Sequence, residues 1–318
     1  MTAGIATAEV TFSGTANFGY NDTDHTNGAS ASNPFSDMDL NIAFSKELDN
    51  GYTAAASVEL DYADGNQGND ISASDALISL TNADSGIHYG DTKHAAQNAW
   101  SSVGSMDNDA FRAADGEMVT RADMTLGGAK VSVSLGDDTN LTTATPPGTE
   151  TDYMSLGITG TAGAFTYALA AQNANTAWLD NDDNSAASQL STTGVEVSYP
   201  MGALTTTASY VAEDATGAKA NWDVKVVYAE GAMGVTVATD ESDDWNVDVS
   251  YDMGNGMNLF IGADDGGKDT YAGLSYDLGG GASLLASYAD DNDNDDSDDE
   301  VGAKDYKEGM TFQLSFAF

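Results

Sequence analysis

Cysteine is absent from the 318 residues, and with it go thiol catalysis, thiolate metal sites and any disulfide framework. Basic residues are scarce: ten stand against 51 acidic ones, a formal net charge of -41. Phosphate recognition depends on lysine and arginine, so this balance argues against nucleic acid as a partner. No run approaches the ~18 consecutive apolar residues that a bilayer-spanning helix needs. The three histidines, His25, His88 and His94, sit in no His-x-x-x-His or Gly-x-Ser-x-Gly setting, and no phosphate loop or dinucleotide fingerprint occurs. Nothing here points to an enzyme, and no cofactor is required. A net charge this large suits disorder, but aromatics at 9% in regular short segments do not.

What the sequence does have is a period of two. In the last nine residues, Met310, Phe312, Leu314, Phe316 and Phe318 alternate with Thr311, Gln313, Ser315 and Ala317. Such alternation puts all the apolar side chains on one face of a strand. A soluble sheet would rarely leave this aromatic edge unprotected. A strand of an outer-membrane barrel needs it, because one face meets lipid and the other a water-filled lumen. The same pattern runs through Val10 to Tyr20, Met38 to Phe44, Tyr52 to Tyr62, Trp222 to Tyr228 and Trp245 to Tyr251. Helical spacing fits none of these segments.

Short glycine turns (Gly127-Gly128, Met201-Gly202, Gly254 to Gly256, Gly279 to Gly281) alternate with longer polar loops (Asn21 to Asn33, Asp137 to Glu150, Asn173 to Leu190, Asp290 to Asp305). An up-and-down barrel has short turns on the periplasmic side and longer loops outside. Tyrosines near segment ends, among them Tyr20, Tyr52, Tyr199, Tyr210, Tyr228, Tyr251, Tyr276 and Tyr288, suit the two interfacial girdles. The expected fold is all-β: a transmembrane antiparallel up-and-down barrel over residues 9–318, with 16–18 candidate strands. Segments Gly86 to Asp91 and Met233 to Asp240 are the least secure. Residues 1–8 end in Ala6-Thr7-Ala8, a small-x-small site, and are expected to be the tail of a signal peptide with the mature chain starting at Glu9.

One stretch, Thr92 to Met118, shows no alternation. A loop this long is usually functional or disordered, and after the fifth strand it could fold inward and narrow the bore. Its Asp107, Asp109, Asp115 and Glu117 are candidates to line a constriction, with Arg112 pinning the loop through carboxylates. A low-dielectric throat concentrates their field, so a few uncompensated carboxylates would bias permeation toward cations. On the wall, parity turns Arg121, Asp123, Asp223, Lys225, Asp39 and Glu59 inward. An arginine on the lipid face at midplane would cost about 2–4 kcal/mol, which supports the inward placement of Arg121. A structural ion pair of Arg121 with Asp123 or Glu117 is the plainer alternative.

Glu9 to Gly14, Ser275 to Ser283 and the closing phenylalanine resemble the general-diffusion porins of alphaproteobacteria. The resemblance extends over the chain in architecture, with clear motifs only at its ends. It implies a homotrimer of 16-stranded barrels in the outer membrane of a Gram-negative bacterium, in contact with lipid and lipopolysaccharide. It also implies a third loop folded into each lumen as an eyelet facing basic wall residues, and passive diffusion of small hydrophilic solutes and ions. With two arginines and eight lysines, the basic half of such an eyelet must be thin here.

The run Asp290 to Glu300 is rich in oxygen ligands, and weak Ca²⁺ or Mg²⁺ binding at Asp290, Asp291, Asp293 and Asp295 is one reading. The run lacks EF-hand spacing and glycine-rich nonapeptides, which favours a solvated loop screened by divalent ions. Two rival functions remain. A substrate-specific channel should show an aromatic track along the lumen, whereas a secreted calcium-binding β-protein or adhesin would not insert into a bilayer.

Overall fold

The computed structural model describes residues 8–24, 31–63, 72–101, 111, 118–137, 153–173, 191–213, 221–292 and 300–318. The first half of the chain runs β1 (Glu9–Asp24), β2 (Ala31–Glu47), β3 (Thr53–Ala63), β4 (Ser72–Thr81), β5 (Ser85–Gly90), the short helix α1 (Ala95–Ala99), β6 (Met118–Leu126), β7 (Ala129–Asp137), β8 (Tyr153–Ala162) and β9 (Phe165–Gln172). The second half runs β10 (Thr192–Met201), β11 (Leu204–Glu213), β12 (Asn221–Glu230), β13 (Met233–Asp240), β14 (Trp245–Gly254), β15 (Met257–Asp264), β16 (Asp269–Gly279) and β17 (Ala282–Asp290). A two-residue ribbon, β18 (Glu300–Val301) with β19 (Tyr306–Lys307), precedes the last strand, β20 (Gly309–Ala317).

Each long strand pairs antiparallel with the next, and β20 pairs with both β17 and β1, so the sheet closes on itself. Closure satisfies every wall strand on both sides, the condition for spanning a bilayer with sheet. The closed sheet has 18 strands, which corrects the 16 implied by the resemblance and matches the upper end of the segment count. The two least secure segments are both wall strands, β5 and β13, of six and eight residues. Short runs carry too few alternations to declare themselves, yet the barrel cannot close without them.

Connections alternate as the sequence implied. One rim carries tight turns at 127–128, 163–164, 202–203, 231–232, 255–256 and 280–281; the other carries the stretches 91–117, 138–152, 173–191 and 291–308. The outward face is mainly apolar, with Phe12, Ile78, Ile87, Val133, Leu169, Ile261 and Phe312 exposed. In water such a belt would be an aggregation hazard, whereas in lipid each large side chain gains on the order of 1.5–3 kcal/mol. Tyr210 pairs with Trp222, and Tyr20 with Phe312, toward the long-loop rim. Phe165 stacks on Tyr199 at 4.6 Å toward the opposite rim. These two levels form the girdles.

Candidate functional site: the lumen and its inward loops

Helix α1 leaves the rim after β5 and lies against the inner wall of β7, β8 and β9. A helix start leaves amide donors unsatisfied, and here the wall supplies the acceptors. Ala95 N donates to Ser134 Oγ at 2.9 Å, and Ala96 N donates to Ser155 Oγ at 3.0 Å. The two hydroxyls bond one another at 2.8 Å, and the buried His94 ring lies 3.4 Å from Ser134 Oγ. The close approach depends on glycine, because a methyl at Gly157 would overlap the Ala95 carbonyl oxygen. Further along, Trp100 and Phe111 meet at 5.0 Å between ring centroids and pack with Ala170 and Val211 over Gly194. Ser101 Oγ donates to the Glu196 carboxylate at 2.7 Å. The described part of the expected eyelet loop, residues 92–101 and Phe111, is therefore folded inward.

Arg121 faces the interior, as parity required, but sits beneath the base of this loop. Its Nη1 donates to the Lys93 carbonyl at 2.7 Å and to Thr92 Oγ1 at 3.1 Å. Its Nε lies 3.3 Å from Asp123 Oδ1, an ionic contact without hydrogen-bond geometry. His88 Nε2 and Lys130 Nζ approach the same carboxylate at 3.2 and 3.9 Å. Three cationic or protonatable groups thus share Asp123.

Asp39 on β2 and Glu59 and Asp61 on β3 form the densest acidic group among the described residues, with one oxygen of each within 4.8 Å of the others. Register places Asp39 opposite Asp61, and Thr15 Oγ1 donates to Asp39 at 2.9 Å. Asp223 on β12 is fully buried and accepts a hydrogen bond from Ser209, while Lys225 lies two residues along the same face. The loop candidates Asp107, Asp109, Arg112, Asp115 and Glu117 lie outside the described residues. So do Asp293 and Asp295, whereas Asp290 ends β17 exposed and Asp291 follows it.

A second inward element escaped sequence reading. The β18–β19 ribbon packs Val301 and Tyr306 against Tyr271 and Ala289 on the wall, with the Tyr271 and Tyr306 rings 4.9 Å apart. Tyr306 lies where a side chain at Gly273 would project. The ribbon carries two of the few basic residues: Lys304 sits over the Phe260 ring at 4.6 Å and Lys307 over the Phe35 ring at 6.0 Å. Two-residue strands leave no alternation to find. The inward glycines Gly157, Gly194 and Gly273 were the available signal, as gaps in a polar face.

The family profile described as Gram-negative porin matches residues 1–297. The chain belongs to this porin family. Its barrel resides in the outer membrane, where it forms a diffusion channel. Among solved structures, a variant of the Rh. blastica porin is similar, with 14% identity and a TM-score of 0.62, covering 98% of this porin and 100% of that chain. A triple mutant of the Rhodopseudomonas blastica porin is similar at 15% identity and a TM-score of 0.57, with the same coverage. Identity this low carries the fold alone. No curated protein sequence matches the chain.

Proposed function

We propose that this porin is a cation-selective, passive channel for small hydrophilic solutes and ions, assembled as a trimer among outer-membrane lipid and lipopolysaccharide. The observation that carries the selectivity is the group Asp39, Glu59 and Asp61 on the inner wall, three carboxylates with one oxygen of each within 4.8 Å of the others. The cationic groups on strands β5 to β7 are gathered around Asp123. A field in a low-dielectric throat concentrates counter-ions, so this dense group of carboxylates draws cations. Asp107, Asp109, Asp115 and Glu117, with Arg112 holding the loop, belong to the constriction. Arg121, Asp123, Asp223 and Lys225 complete the polar wall.

No resident cofactor takes part, and the channel carries out no chemical step. Divalent ions such as Ca²⁺ or Mg²⁺ screen Asp290, Asp291, Asp293 and Asp295 loosely from outside. Among the described residues, the aromatic groups of the two inward loops offer the substrate-specific alternative no open track along the lumen. Trp100, Phe111, Tyr271 and Tyr306 are all buried in the packing that anchors the two inward loops.

Liposome swelling tests this reading. Sugars of equal size and different stereochemistry should enter at equal rates, and a small cationic amino acid should enter faster than an anionic one of the same size. Saturable uptake confined to one sugar would favour the substrate-specific channel.

A further inference from the structure

Asp223 on β12 and Asp240 on β13 are direct register partners on the inward face, and both side chains are 0% exposed. Like charges directly opposite one another in a sheet are destabilising, and burial raises that cost by removing the water that would screen them. Each carboxylate has one satisfied oxygen. Asp223 Oδ1 accepts from Ser209, while Asp240 Oδ1 accepts from Ser242 N at 2.9 Å, Ser242 Oγ at 2.7 Å and Asp244 N at 3.2 Å. Each also has one oxygen, Oδ2, that is buried with no hydrogen-bond partner.

On the next strand, Asn246 Oδ1 is buried and unpartnered in the same way. It stands opposite Ala238, two residues from Asp240 on the same face. Three orphaned oxygens therefore lie on three consecutive strands. Lys225, two residues from Asp223, forms no ion pair with either aspartate. Buried polar atoms in proteins are nearly always paired, and buried charges are paired or coordinate metals.

We propose that Asp223, Asp240 and Asn246 bind a divalent cation of the calcium class on the inner wall. Two carboxylates neutralise a divalent ion, and an all-oxygen donor set without histidine or cysteine selects a hard cation. Calcium accepts irregular sets of six to eight oxygens, so water from the lumen can complete the shell, whereas magnesium demands a near-ideal octahedron. The site adjoins the eyelet. Register continues from Asp223 through Ser209 to Glu196, the carboxylate that holds Ser101 of the inward loop. The bound ion ties β12, β13 and β14 together beside the loop's contact with the wall, and it removes two negative charges from the lumen at that level.

Calorimetric titration of Ca²⁺ into the full-chain barrel, stripped with EDTA in detergent, tests the site. The Asp223→Asn, Asp240→Asn double variant should bind one ion fewer per chain than the wild type, and its melting temperature should no longer respond to Ca²⁺. Asp49→Asn with Asp84→Asn, on exposed short turns away from the site, should keep both responses. If the double variant does not assemble, Asn246→Ala retains both charges and should weaken the site by at least tenfold. Equal Ca²⁺ stoichiometry in wild type and double variant, or unchanged affinity in Asn246→Ala, would overturn the assignment and leave the aspartates as a pair sharing a proton.

Discussion

Arg121 shows how a single residue can be placed correctly by parity and yet do something parity does not reveal. Its alternation with Met124 and Leu126 turns it inward, but its hydrogen bonds go to Thr92 and Lys93 at the base of the eyelet loop. The partner at that base lies 28 residues away in sequence, so no local pattern could announce it. Removing one member of a buried charged contact typically costs about 3–5 kcal/mol. Arg121→Ala should therefore destabilise the barrel by about 3 kcal/mol, loosen the loop and leave Asp123 less compensated. Single-channel recordings should show more open-state noise and a stronger preference for cations. Quiet currents with unchanged selectivity would mean that Arg121 neither holds the loop nor contributes to the field.

At the scale of elements, alternation made nearly every wall strand legible, because lipid on one side and water on the other impose it residue by residue. The inward loop was legible only as a long break in that pattern. Its docking was not, because it rests on small inward residues whose meaning depends on what lies above them. Gly194 admits the Trp100 ring at 2.7 Å from where its own Cβ would stand. Gly194→Leu should displace Trp100 and Phe111 from the wall and change the conductance, while heat-modifiable migration in detergent stays intact. Unaltered conductance would show that the loop tip does not shape the bore.

The β18–β19 ribbon supplies a pH signature. Burial pushes the Tyr306 hydroxyl up to about 12, so the docked ribbon favours the protonated phenol. An undocked tyrosine ionises near about 10. Docking is therefore fully stable below about pH 10 and is lost as the pH rises toward 12. Tyr306→Phe should abolish this alkaline change in conductance. The substitution should be tolerated at neutral pH, since the hydroxyl is buried without a partner. A wild-type current that is flat from pH 9 to about 12 would count against docking through this ring.

For the whole molecule, closure rather than composition decides strand number. By pattern β5 and β13 are the least secure segments, yet each pairs on both sides in the closed sheet. On the outer surface, Gly14 and Ala16 on β1 and Ala54 and Ala56 on β3 leave a patch of small residues between larger apolar ones. Small residues let apolar surfaces approach closely within a membrane, so this patch is the proposed trimer contact. Ala54→Leu with Ala56→Leu should shift the assembly toward monomer in mild detergent. A trimer band of unchanged stability would place the contact elsewhere.

The most direct measurement is the reversal potential of the wild-type channel in a planar bilayer under a KCl gradient, repeated for the variant Asp39→Asn, Glu59→Gln, Asp61→Asn. The field of exposed carboxylates is screened over about 10 Å at 0.1 M salt and about 3 Å at 1 M. The wild type should prefer K⁺ over Cl⁻ strongly in dilute salt and weakly in concentrated salt. The variant should lose most of the preference in dilute salt while keeping its conductance at 1 M. An anion-selective wild type, or a variant that retains full cation preference, would contradict the account.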